Sequence, residues 1–168
     1  MKNKTKNIAL VGILSTLAVI GLLITSYVPT GKLSIYAIVS FLTAIIIINA
    51  GLKYGFLFYI VVSTLAMILI PDKVAILPYV GIFGWYGIFK FIVEKLKRMS
   101  LEIIIKLTVM NIIVWAGYFL FQSMIPALDF TKFAVWAGII LLQPVFIIYD
   151  YVFTLVIDFY YRKFYNRH

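Results

Sequence analysis

The chain has 168 residues, of which 64% are hydrophobic and 12% charged, with a mean hydropathy of +1.09. That leaves too little polar surface for a soluble domain of this size and excludes the soluble globular class. Fifteen basic residues against six acidic ones give a net charge of +9, and the absence of cysteine excludes disulfides and thiolate ligands.

The apolar residues fall into six blocks: Ile8–Tyr27, Leu33–Leu52, Gly55–Ile70, Val74–Val93, Ile103–Ile125 and Phe133–Ile157. A helix crosses a hydrocarbon layer roughly 30 Å thick with about 20 such residues. The blocks reach or approach that length. Runs such as "AIIIINA" do not alternate with period two, as strands of an outer-membrane barrel would. The pattern predicts an all-α integral membrane protein, a bundle of six transmembrane helices forming a single domain over residues 1–168.

The first block follows Lys2, Lys4 and Lys6, as a signal peptide would, but no small-x-small cleavage site follows it. Its twenty residues exceed a usual signal core, so it is expected to remain a helix of the mature protein. Ala9, Gly12 and Thr16 fall within about 60° of arc on it. Such a smooth face admits another helix closely, either within the protein or from a partner. The third block is short, about 24 Å as a helix.

The connections "VPTGK", "PDK" and "PALDFTK" share one side, and each pairs a proline with a lysine before the next helix. Lys32, Lys73 and Lys132 either snorkel to the interface or form a lid whose ammonium groups meet an anionic ligand. In the fourth helix Gly81, Gly84 and Gly87 recur every third residue after Pro78. Each glycine weakens a helix by about 1 kcal/mol, which predicts that a helix or a ligand presses against the backbone beside Trp85 and Tyr86.

Asn111, Trp115, Tyr118 and Gln122 of the fifth helix lie within about 60° of arc, one narrow stripe. Trp136, Gln143 and Asp150 of the sixth follow at steps of seven, again one face. Amides and indoles in hydrocarbon serve either as a ligand pocket or as interhelical hydrogen-bonding glue. Asp150 is expected to pair with Lys90 or Lys106, or else to carry a proton. Glu94, Glu102 and Asp158 are expected to be solvated at the interface. The tail "DFYYRKFYNRH" is expected to prolong the sixth helix into the headgroup region.

Twelve basic residues mark one side of this bundle: Lys2, Lys4, Lys6, Lys53, Lys90, Lys95, Lys97, Arg98, Lys106, Arg162, Lys163 and Arg167. Three mark the other. Positive residues gather in the cytoplasm, so both termini are expected there. That distribution also argues against nucleic acid as partner and for the headgroups of a lipid bilayer.

Catalysis is not expected. There is no HExxH, no pair of glutamates on one helix and no histidine except His168, the last residue, so neither a metal site nor a nucleophile–histidine set can form. No ATP site is present and no cofactor is expected.

The "KNKTKNIALVGILSTLA" opening, the "GLKYGFLFYIVVSTL" stretch and the glycine-rich fourth helix resemble the substrate-binding S component of energy-coupling factor (ECF) transporters. The likeness spans the chain in topology. It implies vitamin or micronutrient uptake across a bacterial plasma membrane, with a transmembrane coupling subunit and an ATPase pair as partners. It implies a small organic substrate held near the outer face, where the stripes above converge: Trp85, Tyr86, Asn111, Trp115, Tyr118, Gln122, Trp136 and Gln143. It also implies docking on the coupling subunit through the first helix. The family's Ala-x-x-x-Ala pattern is not kept, since Ile13 follows Ala9 at the fourth place, and Gly12-x-x-x-Thr16 stands in for it. A second resemblance is to the rod-shape-determining MreD proteins, cell-envelope scaffolds of similar length and topology that bind no substrate. Those usually carry an acidic residue in the third helix, and "FLFYIVVSTLAMILI" has none.

Overall fold

The structure, a computed structural model, describes the backbone of residues 2–28, 30–96, 98–124 and 132–164. Side chains are described throughout these except at 2, 120–124, 132–137, 139 and 164. The described elements are helical: α1 (Lys2–Ile24), α2 (Lys32–Ala50), α3 (Leu52–Leu69), α4 (Lys73–Pro78), a π turn (Tyr79–Phe83), α5 (Gly84–Val93), a 3-10 turn (Glu94–Leu96), α6 (Met99–Met124) and α7 (Lys132–Phe164).

Among the described residues, six stretches are long and apolar enough to cross a membrane: Asn3–Ile24, Lys32–Ala50, Leu52–Leu69, Lys73–Leu96, Met99–Phe119 and Ile140–Lys163. They fall on the six predicted blocks. Helices satisfy their own backbone polar groups, which a hydrocarbon environment demands of any spanning segment. At 33 residues α7 runs about 50 Å. It therefore exceeds the hydrocarbon layer and carries the tail onward through Phe164, as the sequence implies.

Contacts divide the chain into two units, Met1–Ile92 with Ile157–His168, and Val93–Val156. Within the first, α1, α2 and α3 pack on one another. Their contact faces carry Val11, Ala18 and Leu22 of α1, Tyr36, Val39 and Ile46 of α2, and Phe58, Val62 and Ala66 of α3. The steps of three, four and seven keep each set on one helix face. The other side of α1, with Ile13, Leu17 and Ile20, is exposed yet equally apolar. A helix that is hydrophobic all round belongs in lipid. Between such helices cohesion comes from van der Waals fit, so small residues govern how closely they approach.

Gly51 alone joins α2 to α3. Its N–H closes α2 on the Ile47 carbonyl at 2.9 Å, while its own carbonyl receives the N–H of Tyr54 and of Gly55 at 3.1 and 3.2 Å. Its φ of +95° is open to glycine and costly for other residues. Just beyond, a Cβ on Gly55 would lie 2.5 Å from the Ile47 side chain, so glycine there lets α3 lie tight against α2.

At the other end Asp72 caps α4, accepting from the Ala75 N–H at 3.1 Å. Lys73 donates to the Ile70 carbonyl at 2.8 Å and to that of Met67, closing α3. The Tyr36 hydroxyl donates to the Ala75 carbonyl and ties α2 to α4.

The glycines of the fourth span have a local cause. Pro78 lacks an N–H, and the π turn follows it, with the Gly84 N–H reaching five residues back to the Tyr79 carbonyl. Side chains bond the carbonyls of this turn. The Tyr59 hydroxyl of α3 donates to Val80 at 3.0 Å and the Trp85 indole to Gly81 at 2.7 Å. A Cβ on Gly84 would meet the Tyr59 ring at 2.9 Å. What presses on the backbone at Gly84 is thus the tyrosine of a neighbouring helix, whereas the space beside Gly81 is open.

In the second unit α6 and α7 are bonded at two levels, Lys106 to Asp150 and Asn111 to Gln143. One number rises as its partner falls, so the two helices run antiparallel. Ile103, Ile104, Ile112, Ile147 and Ile148 are exposed on their flanks, as lipid-facing residues would be.

Candidate functional site

Gln143 and Asn111 are the polar centre of the second unit. The Gln143 amide donates to the Asn111 side-chain oxygen at 2.7 Å, and the Asn111 amide donates to the Leu107 carbonyl one turn below at 2.8 Å. The two predicted stripes therefore meet at mid-helix. Both amides are half-buried. One turn further along α6, the Trp115 ring stands edge-on to Tyr118, with centroids 5.9 Å apart and planes at 89°. This geometry sets the positive ring edge against the negative ring face. Phe119 packs on both rings at 6.0 and 5.8 Å. Gln122 and Trp136, the remaining members of the stripes, lie outside the described side chains.

Below the amides sits a cluster of charge. The Lys106 ammonium lies 3.0 and 3.1 Å from the two oxygens of Asp150 and 3.2 Å from a Glu94 oxygen. The Lys106 side chain is 6% exposed, against 22% for Asp150 and 36% for Glu94. The ion pair expected for Asp150 is present, with Lys106 as a partner. Glu94 keeps 36% of its side chain exposed, in line with the solvated position expected of it, but it also pairs with Lys106, which was not expected. The 3-10 turn after α5 packs on α6 and brings the carboxylate to Lys106, because a buried ammonium gains from each carboxylate within reach. Among the described residues no three His, Cys, Asp or Glu side chains gather as a metal set would require.

Trp85 and Tyr86 belong to the first unit. Trp85, bonded to the Gly81 carbonyl, stands edge-on to Phe89 at 5.2 Å. Tyr86 is buried, with its ring 6.5 Å from that of Phe89. Gly87 is buried as well.

On α1, Ala9, Gly12 and Thr16 are all exposed. The Thr16 hydroxyl is turned back onto the Gly12 carbonyl at 3.1 Å, and among the described residues nothing lies within 4 Å of where a Gly12 Cβ would stand. The face is smooth and open, flanked by Ile8, Ile13 and Leu17. Of the three lysines that a lid would use, Lys32 lies 4.0 Å from Asp72 and Lys73 is spent on the end of α3. The Lys132 side chain lies outside those described.

Two features were not foreseen. One is Tyr59, whose hydroxyl and ring serve the fourth span from α3. The other is a bond from the Asn49 amide at the end of α2 to the Tyr160 hydroxyl of α7, at 2.7 Å. The paired polar residues at two helix ends were the available signal, but only the packing brings them together. Comparison with protein-family models, with curated proteins and with solved structures finds no match for this chain.

Proposed function

We propose that this chain is the substrate-binding membrane subunit of an ECF-type uptake transporter in a bacterial plasma membrane. The observation that carries the reading is the α6 stripe of Asn111, Trp115 and Tyr118, tied to Gln143 of α7. Its polarity comes from amides, an indole and a phenol, with no charge among them. Such a wall suits a small, flat, largely neutral organic molecule, stacked by the rings and oriented by the amides. Gln122 and Trp136 complete the proposed lining.

In this reading both termini are cytoplasmic, on the strength of the twelve-to-three split of basic residues. The chain has no native cysteine, so single introduced ones report cleanly. Cysteines at the exposed positions Thr30 and Lys73 are expected to react with an impermeant maleimide in intact cells, and one at Arg98 only after lysis. Labelling of the Arg98 position in intact cells would reverse the topology.

Ala9, Gly12 and Thr16 would then meet the coupling subunit, which carries the ATPase pair. Purification in mild detergent is expected to bring these partners along, and their identity by mass spectrometry tests the class. A leucine at Gly12 fills the open surface and holds the partner helix away. Gly12→Leu is expected to lose most of the recovered partner with no fall in Tm, since a Cβ at this exposed helical position meets nothing within 4 Å among the described residues. Full recovery of the partner would remove this face from the account.

One observation favours a second reading, an MreD-like envelope scaffold without substrate. The Asn111 and Gln143 amides bond to each other, as side chains that only hold helices together would. A scaffold retains no small molecule, and its partners would be envelope proteins in place of ATPases.

A further inference from the structure

The first unit contains a cleft of about 580 Å³, apart from the ligand site and sharing Ala9 with the edge of the proposed docking face. It is lined by Asn3, Lys6, Asn7, Ala9, Leu10 and Ile13 of α1, with Asn49 and Tyr160. The α1 positions 3, 6, 7, 10 and 13 recur at helical spacing and form one continuous wall. That wall is graded. Asn3, Lys6 and Asn7 stand at the helix end, while Leu10 and Ile13 lie about 5–10 Å further along the axis. Across from them the Asn49 amide and Tyr160 hydroxyl are bonded at 2.7 Å and supply a second polar edge. Among the described residues no acidic side chain lines the cleft. Lys4, Lys53, Arg162 and Lys163 are exposed on the same end of the unit's helices, so the local field favours an anion.

We propose that this cleft binds one anionic phospholipid. The headgroup phosphate meets Lys6, with Asn3, Asn7 and Tyr160 as hydrogen-bonding neighbours, and the first acyl methylenes lie along Leu10 and Ile13. A free anion would have no use for the apolar half of the wall, and a zwitterionic lipid gains less from its charge. Basic clefts between transmembrane helices are suited to anionic headgroups, at about five-fold in affinity for each lysine near the surface. The site is independent of the substrate reading, since a transporter subunit and a scaffold would both hold such a lipid.

The test uses the full chain, purified in mild detergent with an equimolar mixture of phosphatidylglycerol and phosphatidylcholine, with retained lipid counted by native mass spectrometry. Phosphatidylglycerol is expected to be retained in preference, one molecule per chain. Lys6→Ala is expected to cut that retention about five-fold, and Asn7→Asp, which sets a negative charge in the wall, at least as much. Lys53→Ala, outside the cleft and acting on the lipid only through the field, should cut it less than two-fold. Equal retention of both lipids would overturn the proposal. So would an equal loss in Lys53→Ala, which marks a diffuse basic surface, or release of the lipid by millimolar inorganic phosphate, which marks a free-anion site.

Discussion

Replacing Lys106 by methionine is expected to lower the stability of the chain by about 2–3 kcal/mol. The substitution takes away the ammonium that Asp150 and Glu94 share at 3.0 and 3.2 Å and leaves two carboxylates facing one another. Removing one partner of a fully buried pair costs about 3–5 kcal/mol, because the remaining charge has lost its water as well as its counter-ion. Here Glu94 is 36% and Asp150 22% exposed, which returns part of that solvation and sets the lower figure. For a chain of this length the change corresponds to a fall of roughly 5–10 °C in Tm. The double variant Lys106→Met/Asp150→Leu is expected to recover most of the loss, since an apolar pair of similar volume replaces the charged one. Lys53→Met, at an exposed site, is the matched control. A Lys106→Met variant that melts like this control would mean that the cluster does not hold α6 to α7.

What was legible in the sequence follows from which physical signals are local. The six spans could be read because an uninterrupted apolar block of bilayer length has few other uses. The Asn111–Trp115–Tyr118 stripe could be read because its angular position depends only on 100° per residue. That polar groups of the two stripes would bond across the helices was one of the two readings open, but that Asn111 and Gln143 are the pair could not be read, since it depends on the register of α6 against α7. The register that joins them also joins Lys106 to Asp150.

The rest depended on neighbours distant in sequence. Gly84 reads as a weak point in a helix until Tyr59, 25 positions earlier, is found against it. Pro78 announces a disturbance, but whether it becomes a kink or a π turn depends on which side chains bond the carbonyls beyond it. Glu94 reads as an interfacial carboxylate, and only the 3-10 turn and the depth of Lys106 make it part of an ion cluster. Polar residues near helix ends such as Asn49 and Tyr160 are common at membrane interfaces, and their pairing is a consequence of tertiary fit.

The second large effect concerns binding. A buried amide removed from a satisfied hydrogen bond costs about 1–3 kcal/mol, or roughly 5- to 150-fold in affinity when the bond is made to a ligand. An indole that stacks on the ligand contributes a comparable amount through area and geometry. Gln143→Leu and Trp115→Ala are therefore both expected to weaken substrate binding within that range. Gln143→Leu also leaves Asn111 without this donor, so Trp115→Phe, which keeps a ring and the packing on Tyr118, separates lost contact from lost fold. Its affinity is expected to fall between that of the parent and that of Trp115→Ala.

The central claim, that the chain binds a small organic molecule at the α6 stripe, is tested most directly by the affinity of the molecule that co-purifies with it. That molecule is identified by mass spectrometry. Its Kd is then measured for the parent, Gln143→Leu, Trp115→Ala and Ile112→Ala, the last an exposed residue on α6 as control. The account predicts parent-like affinity for Ile112→Ala and losses of at least about five-fold for the other two. If Gln143→Leu and Trp115→Ala bind as tightly as the control, the stripe is helix-packing glue and the scaffold reading replaces the transporter.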